Sequence, residues 1–366
     1  MNEQVITNAS ELSEKLFEQV LKENGALISG AVRAFQVEPL KSENSNIFRV
    51  RLEYANGSTG SLPASLFLKM CGGANSHDFG SSEVEYYRRD YAGHSNLPLL
   101  KCYSAVYSAE KKSYHLLLED LTGTHGPSWE KVSSGAFAYP VAEGLGRLHS
   151  FWWCGEDTIP AGLEWPVDLQ VARFFLHMQP GPALLLQEIK DDLDADTLGL
   201  AKEITGLLPA RLLERSKNPN GFTLVHGDLN PGNILSPDGA AAGPIYLIDR
   251  QPFEWSLTTW LGVSDLAYML VLWLEPELRR KIEVEVVETY YASLRANGVT
   301  GYSREQLWQD YRLSVMQCLY IPFEWCILEE DRRKMHWLWS MEFQRVLTAT
   351  RDLNCQELLT QPLAYC

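Results

Sequence analysis

The chain reads as α+β, with a small antiparallel β lobe carrying one helix over residues 1–121 and a larger, mainly helical lobe over residues 122–366. Three observations predict it. Between residues 31 and 119 lie short runs rich in β-branched and aromatic residues, parted by polar turns. Beyond residue 128, apolar residues recur with the spacing of one helix face. Between the two textures, residues 122–128 form a Gly/Pro/Thr linker next to Asp120, where a hinge is expected.

Residues 11–23 open the first lobe as a helix, because Leu12, Leu16, Phe17, Val20 and Leu21 share a stripe. Strands are expected over 31–39, 47–54 and 62–70, with Asn56-Gly57 as a hairpin signal between the last two. Residues 82–91 read as a helix, and 101–107 and 114–119 as two more strands around a polar turn at 109–112. In the second lobe Val141, Leu145, Leu148 and Trp152 fall on one helix face. Further helices are expected over 172–178, 200–213, 265–274, 281–297, 306–320 and 331–347, with a small β island at 245–248. The eleven tryptophans, mostly in the second lobe, are expected chiefly in the core.

With 366 residues, 45% hydrophobic and 22% charged, the chain has enough apolar material for two folded lobes. No apolar run approaches the length that crosses a bilayer. Residues 1–25 carry Glu3, Glu11, Glu14 and Glu18 without a basic-then-apolar order, so a secretory leader is not expected. Cys71, Cys102, Cys154, Cys318, Cys326, Cys355 and Cys366 are scattered without a Cys-x-x-Cys pair, which fits reduced thiols and a cytoplasmic location. A net charge of −15 argues against nucleic acid or an anionic membrane as partner, since both need a basic footprint. Oligomeric state has no sequence signal.

The most informative stretch is Leu224-Val225-His226-Gly227-Asp228-Leu229-Asn230-Pro231-Gly232-Asn233-Ile234-Leu235, followed by Ile245-Tyr246-Leu247-Ile248-Asp249. It sets Asp228 and Asn233 in one tight polar loop between apolar runs and places Asp249 at the end of a β-like run. Phosphoryl transfer needs those groups: a carboxylate for the accepting hydroxyl, and an amide and a second carboxylate for magnesium. A plain surface turn would also use Asn-Pro-Gly; Asp249 and the upstream features weigh against it.

Upstream, Lys69 lies inside the apolar run Leu66-Phe67-Leu68-Lys69-Met70, where an ammonium needs a partner. Glu83 is the first choice and Glu85 the second for the one glutamate that would hold Lys69 toward ATP phosphates, although an edge strand could also carry a solvent-facing Lys. Asn44, Ser45 and Asn46 occupy the place of a phosphate-covering turn without a Gly-x-Gly-x-x-Gly pattern. Glu119 and Leu121, at the exit of a buried strand, could offer backbone groups to an adenine edge. His149 reads as a helix histidine near the loop. Asp265 either hydrogen-bonds the loop backbone or caps its own helix.

These motifs, in this order, resemble the aminoglycoside phosphotransferase/choline kinase group. They are Leu-Lys69, Glu83-Val-Glu-Tyr-Tyr, Leu-Glu119-Asp120-Leu, Leu-His149-Ser, His226-Gly-Asp228…Asn233, Ile-Asp249 and Ser-Asp265-Leu-Ala. Within the group the likeness is to the ecdysteroid-kinase-like branch, and it runs from about residue 37 to residue 358. The resemblance implies a protein-kinase-like bilobal fold and phosphorylation of a small-molecule hydroxyl by ATP with Mg2+. By position it makes Asp228 the catalytic base, Asn233 and Asp249 the Mg2+ ligands and Lys69 the phosphate-binding lysine, with His226, Asp265 and His149 in support. One departure is Arg250, where relatives often carry an aromatic residue. A catalytically silent nucleotide-binding relative is the alternative. A protein kinase fits poorly, because Asp-Phe-Gly and Ala-Pro-Glu are absent.

Overall fold

The computed structural model describes residues 4–41, 45–72, 80–94, 96–154, 167–239, 243–251, 253–361 and 363. Asn44 and Cys366 lie outside the described residues. The chain forms two compact units. The first holds Met1–Gly126 together with Pro237–Ala241 and Tyr246–Glu254; the second holds Pro127–Ser236, Ala242–Ile245 and Trp255–Cys366. Asp249 therefore belongs to the first unit, although chain order alone groups it with the second.

The first unit is built on a five-stranded sheet of β1 (Val32–Leu40), β2 (Asn46–Tyr54), β3 (Ser65–Cys71), β4 (Cys102–Ser108) and β5 (Ser113–Glu119). The strands lie in the order β1-β2-β3-β5-β4, and every neighbouring pair is antiparallel. Alternation along β3 decides the two faces. Leu66, Leu68 and Met70 enter a core with Phe17 and Leu21 of helix α1 (Glu14–Glu23) and Val50 and Leu117 of the sheet. Lys69 is thereby turned to the opposite face.

Three expectations for this unit need correction. The helix over 11–23 is broken at Ser13, whose side chain accepts from the Leu16 N–H at 3.2 Å and starts α1 afresh, after a 3-10 turn at Ala9–Glu11. Asn56-Gly57 does turn the chain, with Gly57 at φ +81°. It does not join β2 to β3 directly: Thr59 first bonds back to Ser29 at 3.0 Å, and β3 begins at Ser65. The helix over 82–91 is a short α2 (Ser82–Glu85) that widens into a π-helical turn over Tyr86–Asp90, closed by Tyr91 N–H on Tyr86 O at 3.2 Å.

The expected linker holds a short β6 (His125–Pro127). In the second unit, α3 (Ala138–Phe151) is followed by α4 (Val167–Met178), α5 (Gly181–Ile189) and α6 (Ala195–Arg215). α5 was not expected; Gly181 and Pro182 break the apolar pattern yet sit in its first turn, where proline is tolerated. In chain order β7 (Phe222–Leu224), β8 (Ile234–Pro237), β9 (Tyr246–Leu247), which belongs to the first unit, and β10 (Thr259–Leu261) follow, then α7 (Val263–Trp273) and α8 (Pro276–Ala296). The helix expected over 306–320 stops at Gln317 as α9 (Arg304–Gln317), and α10 (Tyr320–Trp325) restarts with Pro322 in its first turns. That over 331–347 is likewise two pieces, α11 (Glu329–Lys334) and α12 (His336–Asp352). Trp260 and Trp339 are core, but Trp129 and Trp337 are at least half exposed, so the tryptophans do not behave as one class. Among the described residues no helix is long and apolar enough to cross a membrane.

Candidate active site

The first unit assembles one cluster of charged groups. Lys69 is nearly buried on β3, and its Nζ donates to both oxygens of Glu83 at 2.9 Å and to Asp249 Oδ1 at 2.8 Å. Tyr114, on β5, donates its hydroxyl to Glu83 Oε2. Burial alone would lower the pKa of the Lys69 ammonium, but the Asp249 and Glu83 carboxylates outweigh it and hold it above its ordinary value. Glu85 instead meets Arg89 at 3.7 Å, one helical turn on. The Asp249 side chain stays 45% exposed, and its backbone sits at φ +58°, a left-handed conformation costing about 1–2 kcal/mol outside glycine.

Ser45 and Asn46 stand at the start of β2, next to Ile47, which pairs with Lys69 across the sheet. At the strand exit, the Glu119 N–H donates to Lys101 O at 2.8 Å. The Leu121 carbonyl accepts from the backbone N–H groups of Thr124 and His125 and from the Thr124 hydroxyl. Those two backbone groups are thus spent within the chain.

The second unit builds the loop around Asp228. β7 and β10 pair antiparallel, and the chain leaves β7 into His226-Gly227-Asp228. Asp265, in the first turn of α7, receives the His226 N–H on Oδ2 at 2.6 Å and the Gly227 N–H on Oδ1 at 2.9 Å. It makes no side-chain cap on its own helix, so of its two possible tasks it performs the loop bond. His149 supports it from α3, with Nε2 3.2 Å from Asp265 Oδ2 and Nδ1 2.9 Å from the Tyr290 hydroxyl. Burial would raise the Asp265 pKa, but His149, His226 and the Gly227 N–H outweigh it, and the carboxyl stays below its ordinary value.

Glycine matters twice here. Gly227 adopts φ +82°, and a Cβ on Gly232 would come within 2.9 Å of Asn230 Oδ1 and 3.3 Å of the Trp129 indole. Asp228 is then surrounded by donors. Its Oδ1 accepts from Asn230 Nδ2 at 3.0 Å and the Tyr268 hydroxyl at 2.8 Å. Its Oδ2 accepts from Asn233 Nδ2 at 3.0 Å, and the same nitrogen reaches the Asp228 carbonyl at 2.8 Å. Both of these Asn233 contacts use Nδ2, not its side-chain oxygen.

The sequence reading missed Tyr268, Asn230, Tyr114 and Glu342. Tyr268 follows Asp265 by three positions and so shares its helix face, and Asn230 lies two positions after Asp228. Glu342 occupies the apolar stripe of α12 with Leu338 and Val346, a polar residue at a core position. Burial, reinforced by the Asp228 charge, pushes its pKa up to about 8.

No protein-family model matches the chain, and no curated protein matches it in sequence. Solved structures do. Superposition on the choline kinase of Cryptosporidium parvum Iowa II covers 94% of this chain and 98% of that one, at 12% identity and a TM-score of 0.57. For a choline/ethanolamine kinase family protein from Mesorhizobium loti the figures are 88%, 92%, 14% and 0.50. The chain thus has the fold of these small-molecule kinases, with an antiparallel β unit and a mainly helical one.

Proposed function

We propose that the chain is a kinase that moves the γ-phosphate of Mg-ATP onto a hydroxyl group of a small molecule. The observation that carries this reading is the buried Lys69 held between Glu83 and the part-exposed Asp249. An ammonium so placed keeps its charge, and the carboxylate beside it remains open to a polyphosphate and its cation. The kinase names of the two solved proteins support a small-molecule acceptor. The motif order points within that group to the ecdysteroid-kinase-like branch, and the dispersed thiols to the cytoplasm.

Among the described residues no cluster of three or more His, Cys, Asp or Glu has the arrangement of a metal site. Mg2+ needs no such cluster, since it takes most of its ligands from water and phosphate and one or two oxygens from protein. By the motif resemblance Asn233, through its side-chain oxygen, and Asp249 would be the residues that hold it. When bound, such an ion would supply positive charge that offsets the negative charge of the phosphates. Lys69 binds phosphate oxygens, and Glu83 with Tyr114 fixes where it points.

Asp228 receives the acceptor's hydroxyl. Three donors on its oxygens fix the direction of its carboxylate, which suits it to aligning the hydroxyl and taking its proton. The hydroxyl oxygen bonds to the γ-phosphorus as the bond to the β,γ-bridging oxygen breaks, and ADP leaves. The binding half is tested by Asp249→Ala. Titration calorimetry should show Mg-dependent ATP affinity falling by at least about tenfold; unchanged affinity contradicts the assignment.

A further inference from the structure

Arg250 follows Asp249 directly and is buried, at 3% exposure. Its guanidinium lies 3.5 Å from Asp90 Oδ2, donates to the Ser82 carbonyl at 3.4 Å and stands 4.9 Å over the Tyr86 ring. All three partners belong to the segment that carries Glu83: Ser82 in α2, Tyr86 and Asp90 in the π-helical turn. Asp249 reaches the same segment by a second route, through Lys69 and Glu83. Two adjacent residues thus close a ring of contacts around one short helix.

That helix needs outside support. α2 has four residues and no side-chain cap, and helices so short do not hold themselves in water. We propose that Arg250 is a positioning residue: it fixes the Glu83-bearing segment against Asp249 and so keeps Lys69 between its two carboxylates. A guanidinium suits the task because its planar fork can serve an ion pair, a carbonyl and an aromatic face together, whereas an ammonium serves fewer at once. This deepens the reading of the site given above and rests on it for the nucleotide readout alone.

The test uses Arg250→Met, Arg250→Lys and the milder Asp90→Asn in the full chain. The first readout needs no nucleotide: the rate at which an acetylating reagent modifies Lys69, followed by peptide mass spectrometry with Lys22 as the exposed reference. Arg250→Met should raise Lys69 labelling about fivefold or more while Lys22 is unchanged, and Arg250→Lys should recover part of the protection. The second readout is Mg-ATP affinity by calorimetry, expected to fall about tenfold in Arg250→Met and less in Arg250→Lys. A lower melting temperature with Lys69 labelling unchanged would make Arg250 mere packing and overturn the inference. If Arg250→Met does not fold, Asp90→Asn decides: raised labelling supports the role and unchanged labelling overturns it. A wild-type protein that binds no Mg-ATP contradicts the kinase reading, and the labelling result then decides the role of Arg250 by itself.

Discussion

Glu342 is 1% exposed on α12, and neither carboxyl oxygen has a hydrogen-bond partner among the described residues. Water cannot reach it to stabilise the ionised form, Asp228 repels it, and Arg345 offsets this in part, so its pKa stands at about 8 rather than 4.5. Between those values the folded protein keeps a proton that the unfolded chain gives up, and folding stability falls as pH rises. Glu342→Gln keeps the shape without the charge. It should remove that decline and leave the variant the more stable protein at alkaline pH, by on the order of a few kcal/mol. Urea unfolding across the pH range reads this directly; parallel curves for the two proteins contradict it. At this scale the sequence displayed Lys69 as a charge in an apolar run, Asp228 and Asn233 as polar residues in a tight turn between apolar runs, and Glu83 by its place in the first turn of the neighbouring helix. It hid Tyr268, a tyrosine on an apolar helix whose hydroxyl acquires meaning once the register of α7 against the loop is known.

Elements carry the same contrast. β3 was legible from its composition, and its alternation explains how one strand serves both the core and the charged cluster. Leu68 is fully buried on the core face, so Leu68→Ala should cost about 2–5 kcal/mol in chemical unfolding. Nucleotide affinity should survive wherever the variant is folded, because Lys69 faces the other way. A loss below about 1 kcal/mol would mean that the strand's core face is packed otherwise. The turn at Asn56-Gly57 and the widened helix after Glu85 were misread for a shared reason. Local propensity places a turn or a helix correctly but says nothing of what the next residues bond to, and there tertiary contacts decide: Thr59 with Ser29, Arg250 with Tyr86 and Asp90.

On the scale of the whole molecule, the β-then-α order of the chain was visible in its changing periodicity. The membership of the units was not. Pro237–Ala241 and Tyr246–Glu254 join the first unit across more than a hundred intervening residues, so Asp249, which completes the Lys69 cluster, comes from late in the chain. A fold shared with choline kinase at 12% identity makes the same point, since it is kept by pattern and spacing far more than by residue identity. The central claim is that this arrangement transfers phosphate, and one measurement tests it most directly. Purified protein is incubated with Mg-ATP and a pooled set of hydroxyl compounds spanning amino alcohols, sugars, aminoglycosides and sterol-like alcohols, and products are read by mass spectrometry beside an Asp228→Asn control. The account predicts at least one phosphorylated product, lost or reduced by about 100-fold or more in the control while ATP binding persists. Equal product in the control, or ATP bound and never consumed with any of these acceptors, would contradict it.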